Sequence, residues 1–327
     1  MPDIETVRGP VPVSGLGTTL MHEHVFVLNE EIRLNYPDLW DEEAQVANAI
    51  AKLRAARQLG VDTIADPTVL GLGRDIRRIA RVNEQVDLNI VVATGLYTYG
   101  DVPLFFHYEG PGALIEGDER MVSMFVADIE QGIGGTGIKA AFLKCAIERE
   151  LTRGVKRVLC AVAEAHKRTG VPIMVHTSTR HRTGLVAQEV LRAEGVDLTR
   201  VQIAHSGDTT DLDYLRQLLD AGSFLGMDRF GLDFPLATTD RVATIAALTD
   251  AGYASQLHLA HDASCHVDWF PPGYAEQMAP NWHHTYIPET VVPALRESGV
   301  RDEDIQTMLV HAPQSFFTAG RTQSGSV

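Results

Sequence analysis

The segment Gly17–His24 reads GTTLMHEH and contains two histidines separated by one residue. It lies within Thr18–Val25, a short run rich in apolar and β-branched residues, which is the composition of a buried β-strand. Leu20, His22 and His24 alternate along this run, so in an extended chain their side chains share one face. The run therefore predicts a first strand with two imidazoles at its carboxyl end.

Seven further runs of this kind follow along the chain. They are Val61–Asp66, Ile90–Leu96, Ile138–Lys144, Pro172–His176, Val201–His205, Ser223–Met227 and Gln256–Asp262. Longer stretches with helical periodicity lie between and after them. Several of these stretches close at a glycine, the residue that helix C-caps favour. The glycines are Gly60, Gly170, Gly195, Gly222, Gly252 and Gly299.

Eight strands that alternate with helices predict a parallel sheet, because parallel neighbours need long crossover connections. Eight such units close into a (β/α)8 TIM barrel. A doubly wound open sheet is the alternative, but the chain lacks its glycine-rich phosphate fingerprint between a first strand and a first helix. No linker-like stretch divides the 327 residues. We predict one barrel domain over residues 1–320 and a flexible tail at Arg321–Val327.

Composition excludes several classes of function. The chain has 28 Lys and Arg against 43 Asp and Glu, a net charge of −15, and no basic stretch. This balance argues against nucleic acids and anionic membrane surfaces as partners. The chain has no apolar run of membrane-spanning length, and its N-terminal stretch does not resemble a signal peptide. The chain has only three cysteines, which predicts a reducing, cytoplasmic location. It has 13 histidines, so any metal site would be built from His and carboxylate ligands.

Six of the eight runs have an ionisable residue at or just before their carboxyl end. Asp66 precedes Pro67, and a turn role fits it as well as a site role. The other five are His24, Lys144, His176, His205 and Asp262. One His or Asp at a strand end is usually a satisfied polar residue or a helix N-cap. In a parallel barrel, however, the carboxyl ends of all strands form one rim, where reactive side chains collect. Five ionisable residues on that rim predict a metal site.

Alternation along the strands sets the expected direction of these side chains. It groups His205 with Val201 and Ile203 on one face, which we expect to be the inward one. It groups Lys144 with Phe142, and Lys144 is expected to end its strand. A lysine at the end of an apolar run is unusual, because a buried amine is costly unless it is paired or modified.

The donor set indicates the chemistry. Four His, one Asp and one Lys are too many for one tetrahedral ion and suit two divalent metal ions that share a bridging anion. A neutral amine bridges poorly, whereas Lys144 carboxylated by CO2 becomes a carbamate that offers one oxygen to each ion. Imidazole and carboxylate ligands suit zinc, which we favour, and also cobalt, manganese or iron.

Six segments of the chain resemble the phosphotriesterase family of the amidohydrolase superfamily, and within it the phosphotriesterase-like lactonases. The segments are GTTLMHEH (Gly17–His24), GIKAAFLKCA (Gly137–Ala146), PIMVHT (Pro172–Thr177), IAHSGD (Ile203–Asp208), GMDRFGLD (Gly226–Asp233) and HDASCHVDW (His261–Trp269). They occur in family order and span nearly the whole chain. The resemblance implies a (β/α)8 barrel with a binuclear metal centre at its carboxyl rim.

The resemblance also implies a role for each residue of this rim. The implied ligands are His22, His24 and Asp262 for one ion, and His176 and His205 for the other. Carboxylated Lys144 and a hydroxide would bridge the two ions. Asp262 would also carry the proton from the nucleophile to the leaving group. Tyr97 would lie near the hydroxide with Tyr99 in the same loop, and the choice between the two tyrosines is open. Arg229 and Trp269 would line the substrate pocket, with Arg229 counted among the catalytic residues.

The implied activity is hydrolysis of lactones, either acyl-homoserine lactones, as in quorum quenching, or oxo-lactones. Attack by the metal-bridging hydroxide would open the ring, and weak phosphotriesterase (paraoxonase) activity would accompany it. The resemblance also implies a homodimer. The loop Arg229–Asp240 is short where dedicated organophosphate hydrolases carry an insertion, and the loop from Ala263 to about Ile287 is long and aromatic. Both loops favour a lactonase.

Three alternatives to a lactonase stay open. The first is a dedicated organophosphate triesterase. The second is a Schiff-base lyase that uses Lys144, and the third is a metal-bearing barrel without catalysis. Among neighbouring residues, His261 is expected to point outward and support or pack against the site. His258 is expected to lie buried beneath the metals, and Cys145 to face the helix layer.

Overall fold

Strands and helices alternate along residues 2–318, the part of the chain that the computed structural model describes. The predicted tail Arg321–Val327 lies outside the described residues. The strands are β1 (Asp3–Ile4), β2 (Val11–Pro12), β3 (Thr19–Leu20), β4 (His24–Val27), β5 (Thr63–Asp66), β6 (Asn89–Gly95), β7 (Phe142–Ile147), β8 (Ile173–Thr177), β9 (Val201–Ala204), β10 (Phe224–Met227), β11 (Leu257–Leu259) and β12 (Ser264–Val267). The helices are α1 (Glu30–Asn35), α2 (Glu42–Gln58), α3 (Ile76–Asn83), α4 (Arg120–Glu130), α5 (Arg153–Thr169), α6 (Thr183–Ala193), α7 (Leu212–Asp220), α8 (Thr238–Asp250), α9 (Tyr274–Met278), α10 (Val292–Glu297), α11 (Asp302–Gln306) and α12 (Ala312–Thr318).

Eight of these strands form the central sheet. In order across it they are β3, β5, β6, β7, β8, β9, β10 and β11, and every neighbouring pair is parallel. β11 returns beside β3, where the Met21 amide donates a hydrogen bond of 3.3 Å to the Leu259 carbonyl. The helices surround this sheet. The molecule is therefore the predicted (β/α)8 TIM barrel.

Side chains along the strands alternate between two apolar cores. Ala65, Phe142 and Met174 belong to the cluster inside the barrel, whereas Ile64 and Leu143 pack between the sheet and the helices. This alternation follows from the two-residue period of a strand. The inward positions near the carboxyl ends of the strands are therefore the ones that can build a site.

The amino end of the barrel is covered. β1 and β2 form an antiparallel pair, and the segment after them sends Val13 and Leu16 into the inner core. Phe316 and Phe317 of α12 pack into the same cluster. The carboxyl rim lies at the opposite end of the sheet.

The first predicted strand is not continuous. The backbone bends over Met21–Glu23 and resumes as β4, which pairs in parallel with β12, with His24 opposite Ser264. Leu20 packs toward the helices while Met21 lies in the inner core. Unbroken alternation from Leu20 to His24 was therefore wrong, and the bend is what places His22 at the rim.

Two further expectations are corrected. β7 continues to Ile147, so Lys144 lies within this strand rather than at its end. Ile203 of β9 faces the helix layer and Ala204 faces inward, so His205 does not share the inward face by alternation. The backbone of His205 instead adopts φ +63°, a left-handed conformation that ends the strand.

The helices agree closely with the sequence pattern. For example, α5 fills the helical stretch between the predicted strands Ile138–Lys144 and Pro172–His176. All six predicted cap glycines have positive φ, between +71° at Gly170 and +104° at Gly222, which glycine adopts without steric cost. The short helices α1 and α9 were not predicted. Along residues 2–318, no helix is both long and apolar enough to cross a lipid bilayer.

Candidate metal centre

The predicted ligand residues meet inside the carboxyl rim. His22 Nε2 lies 3.1 Å from Asp262 Oδ1 and 3.4 Å from Lys144 Nζ. His24 Nε2 lies 3.3 Å from the same Asp262 oxygen. His22, His24 and Lys144 are buried, and 17% of the Asp262 side chain is exposed. Two imidazoles, one amine and one carboxylate thus face a common point.

The other two histidines complete the cluster. His205 Nε2 lies 2.8 Å from His176 Nδ1, and the His205 ring stacks on His22 with centroids 5.0 Å apart. Ligand atoms of His22, His205 and Asp262 all lie within 4.8 Å of one another. The six residues that the sequence grouped at the rim therefore occupy one site.

The backbone explains how two of these side chains arrive there. His205 and Asp262 both have left-handed conformations, with φ of +63° and +56°. Such values are unusual for residues other than glycine and collect at functional sites. In both cases the backbone turns sharply after a strand and directs the side chain into the barrel mouth. A straight continuation of β9 would send His205 toward the helices.

The outward nitrogen of each imidazole has its own partner. Asp228 accepts from His22 Nδ1 at 2.7 Å through one oxygen and from His205 Nδ1 at 3.1 Å through the other. Glu148 Oε2 lies 2.6 Å from His176 Nε2. These carboxylates place the ring proton on the outward nitrogen, so the inward nitrogen presents a lone pair.

A hydrogen bond on the outward nitrogen also sets the tautomer of His24. Its Nδ1 lies 2.7 Å from the Thr68 hydroxyl, which itself donates to Asp66 Oδ1. Because the hydroxyl proton is used on Asp66, Thr68 accepts from His24 Nδ1 and leaves Nε2 as the free lone pair. Asp66 thus supports the site through Thr68.

This donor set fits divalent metal ions. Four imidazoles, one carboxylate oxygen and one lysine nitrogen converge at contact distance. Burial lowers the pKa of His22 to about 4 and the pKa of His205 well below its usual range, so both rings are neutral at pH 7. Neutral imidazole held by an outer carboxylate is the form that binds metals.

Lys144 lies deep in the cluster with only 1% of the residue exposed. Burial lowers the pKa of its amine to about 8. The neighbouring strand comes unusually close, because a Cβ on Gly95 of β6 would lie 1.9 Å from the Lys144 carbonyl oxygen. Glycine at position 95 therefore allows β6 to pack against the strand that carries this lysine.

Arg229 lies between two carboxylates. Its Nε is 3.2 Å from Asp262 Oδ2 and its Nη1 is 2.8 Å from Asp208 Oδ2. Asp208 also accepts from buried Arg241 at 2.7 Å. Burial opposes the charge, but Asp208 and Asp262 raise the pKa of Arg229 above its usual range. Arg229 therefore stays protonated and holds the second oxygen of Asp262.

A cavity of about 500 Å³ opens directly onto the cluster. Tyr97 lines it with its hydroxyl 3.3 Å from His176 Nδ1 and 2.5 Å from the Tyr99 hydroxyl. Trp269 and Arg229 line it as well, as expected. Further apolar walls come from Leu72, Leu232, Phe234, Phe270, Tyr274, Met278 and Trp282. The cavity is therefore apolar except on the side of the cluster.

Sequence reasoning missed the supporting carboxylates. Asp228 directly follows β10, so the strand-end rule that found the other residues could have found it. Glu148 follows β7 in the same way, one residue after the strand ends. Glu23, between the two histidines of the first motif, carried no such signal. The expected positions of His258, buried beside Gln202, and of Cys145 in the helix layer are confirmed.

Replacing Asp228 with asparagine should weaken metal binding about 10- to 100-fold, the usual cost of losing a group that orients ligands. An amide can accept from one imidazole but turns an N–H group toward the other. Competition with a chelator measures the affinity. The matched control is Asp213→Asn, since Asp213 is 91% exposed and 3.9 Å from Arg216. Equal metal affinity in the two variants would contradict the role of Asp228.

Comparison with known proteins shows the family of this chain. The phosphotriesterase family model matches residues 2–317, so the chain belongs to the phosphotriesterase family. It is 54% identical over 319 residues to the phosphotriesterase homology protein of Mycobacterium tuberculosis, covering 97% of this chain and 98% of that protein. It is 40% identical over 306 residues to an aryldialkylphosphatase of Saccharolobus solfataricus, with 93% and 95% covered.

A solved structure supports the same assignment. The phosphotriesterase from Mycobacterium tuberculosis superposes with a TM-score of 0.95 at 54% identity, over 97% of this chain and 98% of that one. The protein is thus a hydrolase of the phosphotriesterase family. Members of this family generally bind divalent metals, and the His and Asp cluster at the rim is compatible with them.

Proposed function

We propose that this protein is a metal-dependent lactonase with weak phosphotriesterase activity. The observation that carries the proposal is the apolar cavity that opens directly onto the six-residue cluster. A neutral lactone with an acyl chain can place its carbonyl at the cluster and its chain along the apolar wall. The cluster supplies the hydrolytic chemistry and the cavity supplies the substrate class.

The proposed centre holds two divalent ions, with zinc favoured. His22, His24 and Asp262 would hold one ion, and His176 and His205 would hold the other, with Lys144 between them as a carbamate. The position of Lys144 Nζ, 3.4 Å from His22 Nε2, supports this bridge. When bound, the ions would activate water and polarise the carbonyl or phosphoryl oxygen under attack.

Asp262 is proposed to move the proton. Its Oδ1 faces the two imidazoles, and its Oδ2 faces Arg229. In lactone hydrolysis, water adds to the carbonyl carbon, the ring C–O bond breaks, and one water proton ends on the leaving oxygen. Arg229 stays protonated and cannot relay this proton toward Asp208. Asp262 therefore passes the proton directly to the leaving oxygen.

Tyr97 is proposed to steer the substrate. Burial raises the pKa of its phenol well above the usual range, so at neutral pH it remains a hydrogen-bond donor. Its hydroxyl lies beside His176 and the Tyr99 hydroxyl. Because Tyr99 is 49% exposed, Tyr97 is the tyrosine placed to reach a bound ring oxygen, and this geometry favours Tyr97 over Tyr99.

Two loops support a lactone rather than a bulky triester. The connection from β10 to α8 has ten residues, 228–237, and adds only Leu232, Phe234 and Pro235 to the apolar cavity wall. The connection after β11 contains β12 and α9, and its Trp269 and Trp282 form an apolar slot. Tyr286, near the end of this long aromatic loop, packs in the outer core.

A dedicated organophosphate triesterase is the second candidate. The name of the Saccharolobus relative, an aryldialkylphosphatase at 40% identity, favours it. A phosphotriester is tetrahedral at phosphorus and resembles the intermediate of lactone attack, so one site can serve both reactions. The homodimer and the cytoplasmic location stay predictions from the sequence.

The two candidates are separated by assaying one metal-loaded preparation on both substrate classes. We expect kcat/KM for acyl-homoserine lactones or oxo-lactones to exceed kcat/KM for paraoxon. Lactones of increasing chain length should show falling KM as the chain fills the apolar cavity, because each buried methylene adds about 0.8 kcal/mol. Triester turnover above lactone turnover would show that the lactonase proposal is wrong.

A further inference from the structure

Glu23 lies between His22 and His24 but points away from them, and none of its surface is exposed. Its Oε1 accepts the His261 amide at 2.8 Å and the His261 ring Nδ1–H at 2.7 Å. Its Oε2 accepts the Ala263 amide at 3.2 Å. One carboxylate thus receives three N–H donors from a single short segment.

The two amides lie on either side of Asp262. Asp262 itself has φ +56°, and its amide donates to the His22 carbonyl at 2.9 Å. The His24 amide donates to the Ala263 carbonyl at 2.8 Å. Glu23 therefore holds the backbone amides of the residues immediately before and after Asp262. The left-handed conformation is otherwise unfavourable for an aspartate.

The ring of His261 extends this contact to the end of the long aromatic loop. Its Nε2 accepts the Ile287 amide at 2.9 Å, so its proton lies on Nδ1 and is donated to Glu23. The His261 carbonyl accepts from Trp282 Nε1 at 2.8 Å. Trp282 lines the cavity, so the cavity wall and Asp262 share one support.

We propose that Glu23 is a positioning residue that fixes Asp262 in its left-handed conformation and so directs Asp262 Oδ1 between His22 and His24. The proposal rests on the proposed role of Asp262 as ligand and proton carrier. Glu23 touches neither substrate nor the convergent ligand atoms. It acts through the backbone amides of His261 and Ala263, the residues on either side of Asp262.

The test is Glu23→Gln, which keeps the shape but turns an NH2 group toward one of the three N–H donors. We expect kcat to fall about tenfold or more, because a buried donor loses its acceptor. KM should stay within about threefold, since Trp282 of the cavity wall bonds the His261 carbonyl, an atom that Glu23 does not contact. Metal loss to a chelator should accelerate, and a crystal structure should show Asp262 outside the left-handed region.

Gln188→Leu is the matched control. Gln188 is buried in α6 and donates to the Leu218 carbonyl at 2.9 Å and the Ser223 hydroxyl at 2.8 Å, far from the rim. It should lower the melting temperature and leave kcat unchanged. If Glu23→Gln behaves in the same way, with normal metal retention and Asp262 unmoved, Glu23 is merely structural and the proposal is overturned.

The test also covers a variant that does not fold and a lactone that is not hydrolysed. If Glu23→Gln does not fold, Glu23→Asp serves instead, because its shorter side chain cannot reach both amides, and wild-type kcat and metal retention there overturn the proposal. If the lactone proves inert, kcat is measured with paraoxon. Metal retention and the Asp262 conformation are measured without substrate. A failure of the lactonase proposal can therefore be told apart from a failure of the proposal for Glu23.

Discussion

Replacing Lys144 with alanine should remove most hydrolytic activity, with a loss greater than about 100-fold. That figure is the upper cost of losing a residue that merely orients a ligand, and a bridging group must contribute more. Lys144 lies 3.4 Å from His22 Nε2, and the alanine would leave the two proposed ions without their shared anion. Activity and bound metal per chain are measured together, and both should fall.

Short carboxylic acids should partly restore this variant. Acetate or propionate can enter the space left by the side chain and offer two oxygens, as a carbamate would. The matched control is Lys139→Ala, because Lys139 is 37% exposed and only 3.8 Å from Glu5. It should retain full activity. Normal metal content and activity in Lys144→Ala would contradict the bridging role.

The same variant separates hydrolysis from Schiff-base chemistry. A lyase that uses Lys144 would form a covalent imine with a carbonyl substrate, and borohydride would trap it on this lysine. The four histidines around Lys144 suit metal ligation instead. We therefore expect no trapped adduct on the wild-type protein.

The fold could be predicted from the sequence because its signals are local and repeated. Eight short apolar runs separated by helical periods leave few closed arrangements, and glycines such as Gly170 mark where helices end. What alternation could not predict is the bend at Met21–Glu23 and the left-handed turn at His205. Both depend on contacts between distant segments, such as the Asp228 bond to the His205 amide at 2.7 Å.

The residues of the candidate site likewise fall into those that the sequence predicted and those that it did not. Residues that face the common point were found because each follows or lies in an apolar run, as Lys144 and His176 do. The groups that support them were missed, since Glu23 and Thr68 contact residues that are distant in the sequence and adjacent only in the folded barrel. His205 was grouped correctly for a wrong reason, because its left-handed backbone and not strand alternation turns it inward.

Strain and support occur together at this rim. Among residues 2–318, the non-glycine residues with positive φ are Arg182, His205 and Asp262, and two of these three are proposed ligands. A buried carboxylate holds the backbone at each of these two residues: Asp228 accepts the His205 amide, and Glu23 accepts the amides of the residues before and after Asp262. The unfavourable backbone is therefore retained where it aims a ligand.

Asp262→Asn should lower kcat by about 10³-fold, within the range for loss of a positioned proton acceptor. The carboxylate now serves two sides, with Oδ1 3.1 Å from His22 Nε2 and Oδ2 3.2 Å from Arg229 Nε. An amide can satisfy only one of them. With its oxygen toward Arg229, its NH2 group faces the imidazoles and one metal ligand is lost. With the oxygen inward, the NH2 group opposes Arg229 and no atom can take the proton.

The two cases give different metal contents, so kcat and metal stoichiometry should be measured on the same sample. Asp208→Asn is the comparison, because Asp208 binds Arg229 at 2.8 Å without facing the cluster. It should keep full metal content and lose far less activity than Asp262→Asn. If Asp262→Asn retained both its metal and a kcat within about tenfold of the wild type, Asp262 would be neither ligand nor proton carrier. The proton would then have to leave through another group, such as the Tyr97 hydroxyl, which lines the cavity 3.3 Å from His176 Nδ1.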